Sequence, residues 1–166
     1  SPIDTTQKAQ TYPNFNMTQS YVQAAIDAGF NVFSLCNNHT NDQYLNGIKE
    51  TSKTVDLLKN QELEKGNKVY FSGIKDSEKA DYTFNLIKHK NWRILFLPIT
   101  EILNRQNNKE LINYIATDKK SREKFISYVK ELKKKNRCDL FILSIHAAEP
   151  EYTRAVTESQ EEFYQQ

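Results

Sequence analysis

The run Phe33-Ser34-Leu35-Cys36-Asn37-Asn38-His39-Thr40-Asn41-Asp42 sets an amide, an imidazole and a carboxylate directly after an apolar, β-prone segment. The Asn38 amide oxygen is a hard, neutral ligand for a divalent cation, and imidazole suits Zn, Mn or Fe. A histidine beside a metal can also hand a proton to a leaving group. Asp42, three residues after His39, can orient that ring by accepting its second N–H. A second apolar run, Leu140 to Ile145, leads straight into His146, with Glu149 and Glu151 close behind. Two of the three histidines therefore stand at predicted strand ends. Two such clusters suit metal-assisted hydrolysis, in which a bound water becomes the nucleophile. Asn and His are also ordinary turn and capping residues, so from residue types alone a metal-free loop stays open.

Other chemistries fit less well. A Cys36/His39 nucleophile pair is disfavoured, because side chains three apart on an extended segment point to opposite faces. There is no Gly-x-Ser-x-Gly elbow, no P-loop and no Gly-x-Gly-x-x-Gly, and the four glycines are scattered. Cys36 and Cys138 lie far apart within or beside apolar runs and read as buried free thiols, with a disulfide left open.

The elements that must hold these residues follow from periodicity. Thr18 caps a helix carrying Tyr21, Val22, Ala25 and Ile26 and stopping at Gly29. Phe30 to Cys36 reads as a buried strand. Leu45, Ile48, Ser52, Val55 and Leu58 recur at helical spacing. Glu62 to Lys68 reads as a surface connection, Val69 to Ser72 as a short strand, and Ser72 to Ala80 as a polar loop. Tyr82–Ile87 and Trp92–Leu97 read as a hairpin turning at Lys88–Asn91, with His89 solvated. Asn107 to Ala116 is predicted as a weaker helix and Asp118 to Asn136 as a stronger one, basic at its end. Cys138 to Ile145 is predicted as a buried strand, and Thr157 to Gln160 as a capping box opening a last helix. Strands alternating with helices around one hairpin imply an α/β fold with mixed sheets.

Composition narrows the class. With 23 Lys and Arg against 21 acidic residues, the chain lacks the basic footprint of a nucleic-acid binder. No apolar stretch is long enough to span a bilayer, and no signal peptide is present. The first residue is Ser1, so targeting segments of a longer protein stay open.

Ala28 to Asp42 resembles the most characteristic block of the bacterial capsule-synthesis CapA (poly-γ-glutamate synthesis) family, within the calcineurin-like metallophosphoesterase superfamily. Similarity continues in order through Ser72-Gly73-Ile74, Glu78-Lys79-Ala80, Ile94 to Thr100, Asp139 to Tyr152, Thr157 and Gln160, spanning nearly the whole chain. Two departures stand out. Asn37 replaces the glycine of the superfamily's Gly-Asn-His motif, and Ala147-Ala148 replace a Trp-Gly pair.

The resemblance implies that Asn38 and His146 are metal ligands and that His39 is the proton donor or transition-state stabiliser. It sets Asp42, Glu151 and Tyr152 near the site as orienting or substrate-contacting groups. The implied cofactors are divalent ions, Mn, Fe or Zn. The implied fold is a layered α/β sandwich with mixed β-sheets, of which residues 1–166 form part of a single metallophosphoesterase-like domain, the earlier and later metal motifs lying outside them. The implied function is capsule or cell-envelope polymer biosynthesis with metal-dependent phosphoester hydrolysis. The alternative is a non-catalytic envelope scaffold that binds an anionic polymer. Expected partners are an anionic polymer or phosphoester substrate and capsule-synthesis membrane proteins, with no nucleic acid. The expected location is the bacterial cell envelope, reached through an anchor or export segment outside this chain.

Overall fold

A computed structural model describes residues 1–147 and 156–166. In chain order the elements are α1 (Gln19–Asp27), β1 (Val32–Ser34), α2 (Tyr44–Glu64), β2 (Tyr70–Ser72), β3 (Asn85–His89), β4 (Trp92–Thr100), a 3-10 turn at Lys109–Leu111, α3 (Lys119–Lys135), β5 (Leu140–His146) and α4 (Glu158–Tyr164). The strands form two sheets. β1 pairs parallel with β2, while β4 pairs antiparallel with β3 and parallel with β5. Both parallel pairs need a long crossover, and α2 and α3 supply them. This is the mixed α/β architecture expected from the alternation of elements.

Each crossover helix buries one face. Val22 and Ile26 of α1 and Val55 and Leu58 of α2 pack with Ile3, Val69 and Phe71 over the first sheet. Phe125 and Leu132 of α3 and Phe163 of α4 cover Leu95, Leu97 and Ile99 of β4. A third cluster joins Ile48, Ile74, Leu103 and Ile112, and Leu35 packs against both it and the first. The helix starts follow the sequence closely: Thr18, Asp118 and Thr157 each cap through the side chain, the last with Gln160 in a capping box.

Several expectations are corrected. β1 is only three residues long, because the Phe30 N–H still closes the end of α1 on Ala25 O and Gly29 holds φ 98°. Tyr21 points to solvent, whereas Glu62, at the end of α2, is buried. Its carboxylate accepts from Lys65 Nζ, Asn67 Nδ2 and Gln23 Nε2 at 2.6–2.9 Å. The predicted helix over 107–116 is a single 3-10 turn followed by extended chain. There Asn113 N–H donates to Gly73 O and Ile115 N–H to Thr100 O, so the backbone bonds are taken by the sheet edge. His89 closes β3 opposite Trp92 and is exposed. β5 buries only one face: Phe141, Leu143 and Ile145 join the core, while Leu140 and Ile142 remain about 40% exposed.

One glycine couples the sheets. Gly73 follows β2 with φ 124°, and a Cβ there would sit 2.3 Å from Cys36 Sγ and 2.9 Å from Cys36 N. Gly73→Ala combines left-handed strain with overpacking against backbone and is expected to cost about 2–5 kcal/mol. Thermal unfolding followed by circular dichroism checks this, and an unchanged midpoint refutes it.

Candidate active site

The carboxyl ends of β1, β2 and β4 meet at Cys36. Its thiol lies 3.3 Å from Gly73 O and 3.5 Å from Pro98 O, and burial pushes its pKa far above the ordinary thiol value. A neutral, buried thiol is a packing group rather than a nucleophile. Both cysteines are free.

From Cys36 the chain turns through residues that hold one another. The His39 N–H donates to Asn37 Oδ1 at 2.9 Å, an Asx turn. Thr40 Oγ1 accepts from the Asn37 N–H at 2.9 Å and donates to Leu35 O at 2.8 Å. Asn41, buried, donates to Arg105 O and Asn107 O and accepts from Asn108 Nδ2, binding this loop to the one after β4. Asn37, Thr40 and Asn41 thus spend their polar groups on loop shape. The side chains of Asn38 and His39 are left for the site.

Those two side chains meet β5. His146 Nε2 lies 3.1 Å from Asn38 Oδ1, although 108 residues separate them. Asn38 Nδ2 donates to Asn104 Oδ1 at 3.2 Å, which fixes the amide so that its oxygen faces His146. The Asn104 backbone N–H also donates to Asn38 O at 2.9 Å. His39 Nδ1 lies 2.7 Å from Asp42 Oδ2 and 3.3 Å from Asn104 Nδ2. The short contact to an acceptor-only carboxylate assigns the proton to Nδ1, leaving Nε2 directed elsewhere. Asp42 is itself fixed by the Phe15 N–H at 2.8 Å, and the Phe15 ring meets the His39 ring edge-on at 4.6 Å between centroids.

The His146 pKa is lowered, first by burial and then by the charge His39 can carry nearby. The neutral imidazole this favours is the form that binds metals. Two ligands of a small cation with bonds of about 2.1 Å lie about 3–3.4 Å apart. The 3.1 Å between Asn38 Oδ1 and His146 Nε2 fits that spacing as well as it fits a shared proton. Among the described residues no group of three or more His, Cys, Asp and Glu side chains converges. Asn38 and His146 therefore match one edge of a coordination shell.

The structure brings together four of the residues singled out from sequence: Asn38, His39, Asp42 and His146. Glu151 and Tyr152, with Glu149, lie outside the described residues. Asn104 was missed. Its signal was available, since it stands four residues beyond the end of β4, a third strand whose carboxyl end reaches the same place.

A mixed α/β fold with amide, imidazole and carboxylate gathered at its strand ends is compatible with the metallophosphoesterase-like class. The chain belongs to the bacterial capsule synthesis protein PGA_cap family, whose sequence model matches residues 1–166. The calcineurin-like superfamily is consistent with that family. A search of curated proteins finds no match. Membership makes this a capsule synthesis protein and connects it with the cell envelope. Among the described residues no helix is long and apolar enough to cross a membrane.

Proposed function

We propose that this protein serves the biosynthesis of a poly-γ-glutamate-type capsule polymer as a metal-dependent phosphoester hydrolase, with Asn38 Oδ1 and His146 Nε2 holding the ion. The observation that carries the reading is the meeting of those two atoms at 3.1 Å beside a histidine already held by a carboxylate. When bound, a divalent ion supplies positive charge that polarises the phosphoester and acidifies water. The chain's own residues do the rest. Asn104 holds the Asn38 oxygen in its ligating orientation, and Asp42 holds the His39 ring with Nδ1 protonated. In its doubly protonated form, stabilised by the Asp42 carboxylate, His39 is then placed to give its Nε2 proton to the departing oxygen and to keep the one on Nδ1.

The test is elemental analysis of the intact protein after reconstitution with Mn, Fe or Zn, paired with hydrolysis of a phosphodiester. The expected outcome is retained metal and turnover, with Asn38→Ala and His146→Ala each losing both. Protein that keeps no metal and hydrolyses nothing overturns the reading in favour of a scaffold that binds an anionic polymer without cleaving it.

A further inference from the structure

Beside this centre stands a cation whose partners among the described residues are all neutral. Arg105 directly follows Asn104, on the loop after β4. Its Nη1 donates to the Tyr44 hydroxyl at 2.7 Å and its Nη2 to Asn14 Oδ1 at 2.8 Å. Its Cζ sits 4.4 Å from the Tyr44 ring centroid. None of the ion pairs among the described residues includes Arg105, whereas Arg93 pairs with Asp139 and Arg122 with Glu101. An arginine needed only to brace a loop gains most from a carboxylate, as Arg122 does. Arg105 is instead fixed in place by neutral groups, with no carboxylate paired to it among the described residues. Among the described residues two of its five N–H donors find an acceptor, at Tyr44 and Asn14.

Each holder is itself tied to the centre. Asn14 precedes Phe15, whose N–H binds Asp42 and whose ring meets His39. Tyr44 lies two residues after Asp42 and holds φ 54°, a left-handed conformation that costs a bulky residue about 1–3 kcal/mol and is found mainly where the surroundings impose it for function. Asn104 touches both Asn38 and His39. The guanidinium is therefore positioned through three neighbours that each reach the Asn38/His39 centre, and it is half-buried against an aromatic ring.

We propose that Arg105, positioned by Tyr44 and Asn14, is an oxyanion-binding residue at the rim of this centre, taking a second anionic group of the substrate, a carboxylate or a further phosphate. The proposal rests on the phosphoester reading only for what occupies the centre itself. A guanidinium fork matches either oxyanion in a bidentate pair, which a lysine cannot do.

The experiment compares probes that differ by one anion. Calorimetric titration of the intact protein uses ethylphosphonate against 3-phosphonopropionate, which adds a carboxylate, and methylphosphonate against methylenediphosphonate, which adds a second phosphoryl group. In the wild type the added anion is expected to tighten binding about tenfold for at least one pair, the size of a charge-assisted contact. In Arg105→Gln that gain disappears while single-anion binding stays within about twofold. Arg105→Lys, which keeps charge and bulk, retains only part of the gain and decides the matter if the glutamine variant does not fold. Which pair shows the gain tells carboxylate from phosphate. A wild type with no gain for either pair, or a gain unchanged in the variants, overturns the proposal. Failure of the hydrolytic reading shows up separately, as protein that keeps no metal, and leaves the comparison between Arg105 variants intact.

Discussion

Replacing Arg122 with methionine while Glu101 stays in place is expected to destabilise the protein by about 3–5 kcal/mol, the range for breaking a buried ion pair from one side. Glu101, just past β4, is 0% exposed in its side chain and Arg122, on α3, is 8% exposed. Glu101 Oε1 accepts from both Arg122 Nε at 3.0 Å and Nη2 at 2.7 Å. Oε2 is buried with no partner among the described residues, so the carboxylate depends almost wholly on this arginine. Arg122 Nη1 also donates to Ser159 O and Oγ at 2.9 and 2.7 Å, and its guanidinium lies 4.9 Å from the Phe163 ring. The single substitution leaves a charge buried alone and loosens α4 together with the end of β4. At about 2–4 °C per kcal/mol for a chain of this size, the melting midpoint should fall by roughly 10 °C. The double variant Arg122→Met/Glu101→Leu removes both charges and is expected to recover most of the loss. Equal destabilisation in single and double variants would show that packing, not the stranded carboxylate, sets the cost.

This pair also reaches the site. The Glu101 N–H donates to His146 O at 2.9 Å, and Thr100 is the Cα partner of His146 in the β4–β5 ladder. The histidine is thus set by a strand end that is locked from behind by a salt bridge invisible in sequence. Nothing in the spacing of Glu101 and Arg122 announces their pairing, because the crossover that joins them is a matter of topology.

What the sequence did carry was local. Caps at Thr18 and Thr157 rest on side-chain bonds within four residues, and both form; the helix predicted from Asp118 starts there, with that side chain as its cap. The Asn37-Asn38-His39-Thr40 loop follows a strand because its own Asx turn and Thr40 bridge close it. What failed was decided by competing backbone partners, distant in one case and next door in the other. Residues 107–116 have helical spacing, yet the unpaired edges at Gly73 and Thr100 recruit their backbone into extended pairing. Phe30 is apolar and β-prone, but the end of α1 claims its N–H. Asn104 was open to discovery only as a residue just past a predicted strand, and its contacts with Asn38 and His39 exist only once β1, β4 and β5 end side by side.

His39→Ala is expected to lower phosphodiester turnover by about 10²–10⁴-fold, the range for a positioned general acid, while metal content stays at the wild-type level. The separation follows from geometry. Asn38 Oδ1 and His146 Nε2 face each other, whereas His39 is turned by Asp42 so that Nδ1 is occupied and Nε2 is available for proton transfer. On the proposed reading, loss of His39 removes the proton donor and leaves Asn38 Oδ1 and His146 Nε2 in place. The loss should depend on the leaving group. A substrate releasing p-nitrophenolate needs little protonation and should suffer least; one releasing an alkoxide should suffer most. Asp42→Asn keeps an oxygen near Nδ1 but loses the charge that stabilises the imidazolium, and it also weakens the clasp on the Phe15 N–H. Its effect should be smaller, about 10–100-fold, with the same leaving-group trend. Equal losses for both leaving groups would mean that His39 binds substrate electrostatically and transfers no proton. Full activity on the alkyl ester would remove His39 from the reaction altogether. A fall in metal content in step with activity would instead make His39 a ligand through Nε2, with Asp42 holding Nδ1 from behind.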